Sequence, residues 1–426
     1  MERNRQSLAS NVAVAFVLTV SLFALWGLGH RLYDAVIPQF ADALGLRGWK
    51  FTLAHNVYGF AYFLGAIPAA LYARRFGYKA AIILGLGSVC LGAFVLYPAA
   101  VTREFPYFLL AVTALSCGWI VLEVAANPLA ASLGTVETAV RRLNIAQSFY
   151  PFGALAGVFA GRWVATHNIA LPAVRSVYTV LHPYILIAVG IMALAFLIED
   201  TQFPSIATEG IKDLKSAVRE LRTLLSRPLF AFGVAAQFFS VLGMAATWSL
   251  SEQFSAAAFR SISPFALSDV LIWSLAVFAA GRLAGTALMY RYEPDLLLTA
   301  FACGGLVFVG AAAFVNWPLG TILLIASNFF LSITWPTILG VSIRGLGPLM
   351  KLGTALICMG GAFGGVAYEL IASVWNSQSL HAAPLVPVLC YGAMLAFAVA
   401  VYRAGHSAKS ADTAKIWFES GHRRYG

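Results

Sequence analysis

Asp34, Glu123 and Gln147 are polar side chains set where an apolar chain has least reason to keep them. Glu123 is the sole charge in WIVLEVAANPLAASLG (119–134), with Asn127 one helical turn later and Pro128 next. A carboxylate near the centre of a lipid-length helix is costly, by about 2.5–3.5 kcal/mol on insertion scales for an aspartate, so it marks a functional site by default. The chemistry open to a lone buried acid is the uptake and release of a proton. Asp34 lies in HRLYDAVIPQF with Pro38 four residues on. Proline has no N–H, so the Asp34 carbonyl loses its helical partner and the helix can bend, which is tolerated where backbone faces a cavity. His30 and Arg31 stand one turn before it, on nearly the same face. Asp34 is then either a ligand-facing acid or half of a local Arg31–Asp34 ion pair at the helix's outer end. Such a pair occupies the aspartate and modulates it, leaving Glu123 as the better proton carrier and Asp34 as an acceptor for a ligand.

The stretch RRLNIAQSFYPFGALAG repeats the proline device, because Pro151 frees the carbonyl of Gln147 close to Asn144, Ser148 and Tyr150. Amides both donate and accept, which suits a polyhydroxylated ligand; inter-helix hydrogen bonding is the other reading of Asn144. Gly153 and Gly157 read as close-packing contacts. Asn56 and Tyr58, Gln237 and Trp248, and Asn328 and Trp335 are further pocket candidates. Trp335, beside Pro336 in mid-helix, is favoured over Trp248, since tryptophans gather at membrane interfaces. Arg282 sits near enough the cytoplasmic end of its helix to snorkel, a structural role. Glu252 is expected near an outer helix end, and Glu369 deeper, where it can join the proton path. There is no phosphate-binding loop and hence no sign of ATP-driven pumping. His30 and His55 are too scattered for a nucleophile–histidine constellation, so no enzymatic role is expected.

The elements that must position these groups are transmembrane helices. Of 426 residues 60% are hydrophobic and 11% charged, with a mean hydropathy of +0.80; this excludes an ordinary soluble domain and implies a polytopic all-α membrane protein. Apolar runs of spanning length fall at 12–40, 51–73, 79–99, 105–133, 142–166, 180–199, 228–255, 264–290, 295–315, 318–343, 350–375 and 384–403, twelve helices. The first is a transmembrane helix and not a removable signal, since it continues to Phe40 without a cleavage site. The net charge of +10 comes from lysines and arginines in short loops on one side, which orients the helices with both termini cytoplasmic and argues against nucleic acid. Cys90, Cys117, Cys303, Cys358 and Cys390 lie in apolar segments without ligand spacing, so no metal or disulfide framework is implied.

Residues 1–199 read as one six-helix bundle and 228–404 as a second. A cytoplasmic linker (200–227) joins them, with Ile211, Leu214, Val218, Leu221 and Leu225 as an amphipathic face, and 405–426 form a mobile cytoplasmic tail. The halves echo one another: GAIPAALYARR (65–75) resembles GRLAGTALMYR (281–291), Pro128 matches Pro336, and Arg142 matches Lys351. Internal repeats around a midplane site are how many secondary transporters are built.

Four stretches, LYDAVIPQF (32–40), RFGYKAAIILGLG (75–87), LEVAANPLAASLG with RRLNIAQSF (122–134, 141–149) and WPTILGVSIRGLG (335–347), resemble the fucose–galactose–glucose:proton symporters of the major facilitator superfamily, the bacterial L-fucose symporters most of all. The resemblance implies the major facilitator fold and inward movement of a monosaccharide, L-fucose or a related hexose or deoxyhexose, with a proton as coupling ion and no other cofactor. It places the family's first-helix aspartate on Asp34, its fourth-helix glutamate on Glu123 and its fifth-helix glutamine on Gln147. The sequence departs from the pattern at His30, Arg31 and Tyr150, where that family has asparagines, at Trp335, where a smaller aromatic is usual, and at Glu369, where a proline is. The expectation is a monomeric proton-coupled sugar importer of the bacterial inner membrane; an uncoupled facilitator and an amino-sugar transporter are the alternatives.

Overall fold

The computed structural model describes residues 2–168, 173–203, 214–258, 265–374 and 383–422. Every regular element among them is a helix. The first span is α1 (Glu2–Ala43), and α2 (Trp49–Thr102) holds spans two and three. They are separated at Gly77, whose φ of 89° lies where side chains with a Cβ are strained, so the turn in RRFGYK needs a glycine. Span four is α3 (Phe105–Ser132); span five is α4 (Ala139–Gln147) followed by α5 (Tyr150–Asn168); span six is α6 (Ala173–Asp200). After the linker helix α7 (Leu214–Leu225) come α8 (Pro228–Ala258), α9 (Phe265–Leu288) and α10 (Pro294–Ala312). Span ten is α11 (Trp317–Leu331) and α12 (Thr334–Ser342), and α13 (Met350–Val374) and α14 (Leu385–His422) complete the set. The chain therefore crosses the membrane twelve times, in two six-helix halves. Residues 405–422, expected to be a mobile tail, continue α14.

Two helix pairs show how the halves are assembled. In the first half α1 lies so close to α5 that a Cβ on Gly153 would fall on the carbonyl oxygen of Ala24. In the second half α8 meets α13 in the same way, with Gly364 against the carbonyl of Phe238. The glycines beyond Pro151 are close-packing residues, as expected.

The halves are tied at both ends. At the linker end Lys351 Nζ stands 4.8 Å from the Tyr78 ring centroid and Arg141 stands 4.2 Å from that of Tyr290. At the other end Arg162 Nη1 donates to Asp269 Oδ1 at 3.0 Å. Between these ties lies the polar centre. In the linker helix Leu221 of the apolar face packs against the core. Ala217 and Leu224 are buried and Glu220 pairs with the buried Arg74, whereas Val218 and Leu225 are exposed. The Arg74–Glu220 pair turns the 217–220–224 side toward the bundle. Ile211 lies outside the described residues.

A candidate substrate and proton site between the halves

Span five breaks between Gln147 and Tyr150, where Pro151 removes the N–H that would have served the Gln147 carbonyl. The freed carbonyl accepts from Arg282 Nη1 at 3.2 Å, and the same nitrogen donates to Gln147 Oε1 at 3.2 Å. Gln147 Nε2 in turn donates to Asn127 Oδ1 at 2.7 Å, and Asn127 Nδ2 donates to the carbonyl of Glu123 at 2.9 Å. One continuous chain of hydrogen bonds thus runs from Arg282 in the second half to the turn of α3 that carries Glu123. Nearby, Asn144 Nδ2 donates to Thr337 Oγ1 at 3.2 Å, and the Ser148 and Thr286 hydroxyls lie 3.3 Å apart. Asn144 thus makes an inter-helix hydrogen bond.

The Glu123 side chain is buried, at 7% exposure. Its carboxyl is within hydrogen-bonding reach of the Tyr62 hydroxyl and the Cys358 thiol. Trp26 Nε1 donates to the Tyr62 hydroxyl at 3.0 Å, so the phenol proton remains to be offered to the acid. No cation pairs with Glu123 among the described residues. Asp34 is different. Its side chain is 46% exposed, and Oδ2 accepts from Arg31 Nη1 at 3.0 Å with His30 Nδ1 at 3.7 Å. The local ion pair weighed from sequence is present, and it lies at the edge of the polar centre rather than deep within it.

An aromatic wall surrounds these groups. The Trp26 ring centroid is 4.8 Å from Tyr150 and 6.5 Å from Trp335, and Tyr58 stacks on Tyr62 at 4.6 Å. Arg31, Asp34, Arg282 and Glu123 all lie within electrostatic reach of the buried Tyr150. Trp248 faces the centre too: its ring lies 4.1 Å below the Arg31 guanidinium and its Nε1 donates to Asn328 Oδ1 at 2.6 Å. The interface role does not describe it. Gln237 is wholly buried on α8, close to Trp335 across Gly361. Asn56 is half-buried on α2.

A scan of family models matches the Major Facilitator Superfamily over residues 14–368. The chain belongs to that superfamily. It is 30% identical over 404 residues to the L-fucose-proton symporter of Escherichia coli strain K12, an alignment covering 90% of this chain and 92% of the relative. It is 29% identical to the glucose/galactose transporter of Brucella abortus, covering 91% and 93%. Among solved structures, a variant of the E. coli fucose:proton symporter superposes with a TM-score of 0.84 at 29% identity, covering 92% of this chain and 99% of that one. The same symporter in its outward conformation gives 0.83 at 30%.

Within this superfamily member three sequence expectations change. Arg282 does not snorkel: it is 2% exposed and reaches into the polar centre. A donor was owed to the carbonyl freed by Pro151, and that was the available signal. Glu369 is exposed in the last turns of α13, close to the helix's far end and not deep. Cys358, read only as an apolar filler, touches the Glu123 carboxyl. Glu252 is exposed near the end of α8, where it was expected.

Proposed function

We propose that this protein is a proton-coupled monosaccharide importer of the bacterial inner membrane, monomeric and with both termini cytoplasmic, working by alternating access of the two halves. The observation that carries the reading is Glu123: buried, bonded by a hydroxyl and a thiol, and without a cation partner among the described residues. Such an acid can gain or lose a proton without breaking an ion pair. The backbone carbonyl of the same residue is joined through Asn127 and Gln147 to Arg282 of the opposite half. Glu123 takes a proton while the site faces outward, sugar binds on Asp34, Gln147 and Gln237 against the Trp26, Tyr150 and Trp335 rings, and the halves close. On the cytoplasmic side both leave and the empty carrier resets. Coupling requires that proton and sugar each prefer one set of conformations.

The names of the relatives support a sugar as substrate and a proton as partner. The test is substrate-induced alkalinisation outside right-side-out vesicles, which symport produces and a facilitator does not. One observation favours a second reading, an uncoupled facilitator: the Arg31–Asp34 pair places a fixed cation beside one of the two acids. Sugar entry without proton uptake would select it.

A further inference from the structure

The polar centre holds two buried guanidinium groups with unmet donors. Arg31 is 8% exposed, and of its nitrogens only Nη1 is engaged, by Asp34. Its Nε and Nη2 have no partner among the described residues. These two N–H groups form one edge of the planar guanidinium, the side-on fork whose spacing matches the two oxygens of a carboxylate. Arg282 Nε is also without a partner among the described residues, as are both the amide nitrogen and oxygen of Gln237, which is 0% exposed. Polar groups buried in this way destabilise the protein, charged ones most, until something meets them.

The negative groups do not balance the cations. Asp34 takes the far edge of Arg31 and is half exposed. Glu252 acts on Arg31 only from the exposed end of α8, and Glu123 faces Tyr62 and Cys358. His30 lies against Asp34 and Tyr58, on the same side as Arg31. Once Glu123 carries its proton, two buried guanidinium groups are left opposite one half-exposed carboxylate. A neutral sugar can satisfy donors but leaves that surplus charge. A sugar acid supplies both the acceptors and the charge.

We propose, building on the symport reading, that the substrate is a monosaccharide carrying a carboxylate, a uronic or aldonic acid, gripped side-on by Nε and Nη2 of Arg31. Gln237 and Gln147 serve its hydroxyls. Trp248 of the second half lies against the flat face of the Arg31 guanidinium, which leaves its Nε–Nη2 edge for the carboxylate. The proton on Glu123 and the anion enter together, so the buried centre keeps nearly the same total charge when loaded.

The test is uptake under an inward proton gradient, in proteoliposomes of the full chain, of glucuronate, galacturonate and gluconate against glucose, galactose, L-fucose and N-acetylglucosamine. The expected result is that at least one acid is concentrated and competes tenfold or better than its neutral parent. Arg31→Gln then removes the preference for the acid while the variant's melting temperature in detergent stays within a few degrees of wild type. If a neutral sugar is concentrated and no acid competes with it, the inference is wrong and the symport reading stands. If neither class moves, the symport reading fails and takes the inference with it. Should Arg31→Gln not fold, the wild-type panel alone decides.

Discussion

The two halves share a plan but differ in how their buried polar groups are served. In the first half Asn127, Asn144, Gln147 and Ser148 are all bonded, several of them to residues across the interface. In the second half, among the described residues, Gln237 has neither of its amide atoms met and Arg282 has one nitrogen unmet. The contrast is therefore between the prebuilt relay around Glu123 and the groups left for a ligand, among them Gln237 and Arg282 Nε in the second half and Arg31 Nε and Nη2 in the first. The breaks differ too. Span five is interrupted in the first half and span ten in the second, positions that the internal repeat does not pair. Their inner pieces α4 and α12 meet through Asn144 and Thr337, so the two interrupted helices build one contact between the halves.

The strongest way to break this contrast is Arg282→Leu. It removes the donor on both Gln147 acceptors, leaving them buried and unmet, so uptake is expected to fall more than 100-fold, with a stability loss of about 2–3 kcal/mol seen as a lower melting temperature. Next come two matched substitutions that sharpen it. Gln147→Leu is expected to lower both the melting temperature and transport, because its partners Asn127 and Arg282 lose a bond. Gln237→Leu is expected to leave the melting temperature unchanged or raised, since it relieves an unmet amide, while raising the KM of transport about tenfold. Equal destabilisation by the two would remove the distinction between a prebuilt relay and a waiting site. The smallest effect is expected from Trp248→Phe, which keeps a ring under Arg31 and loses only the bond to Asn328. A change of a few-fold in KM with little change in maximal rate is the outcome that transport kinetics should return.

Much of this arrangement is legible in the chain, and the misses have physical causes. Spanning length and hydropathy determine the twelve helices, and the rarity of a lone acid among apolar residues singles out Glu123. Pro151 foretells both the break in span five and an unserved carbonyl on Gln147. What spacing does not tell is azimuth. Arg282 was expected at the headgroups because depth was counted along its helix, whereas Gly281 lets α9 press onto the backbone of Phe329, and the arginine points to the centre. The linker helix was read from its apolar residues alone, which does not foretell the Arg74–Glu220 pair that ties it to the bundle. Glu369 lies on a helix that starts where expected, and its exposure near the far end is again a matter of which way the side chain faces. Cys358 approaches Glu123 only through the meeting of α13 with α3, a contact between halves that no local pattern reports.

The role of Glu123 is tested most directly by sugar accumulation against a gradient in proteoliposomes containing Glu123→Gln, measured beside sugar counterflow with no proton gradient applied. Glutamine keeps the shape and cannot change protonation. The expected result is loss of accumulation with counterflow preserved. A variant that still concentrates its sugar would contradict the account.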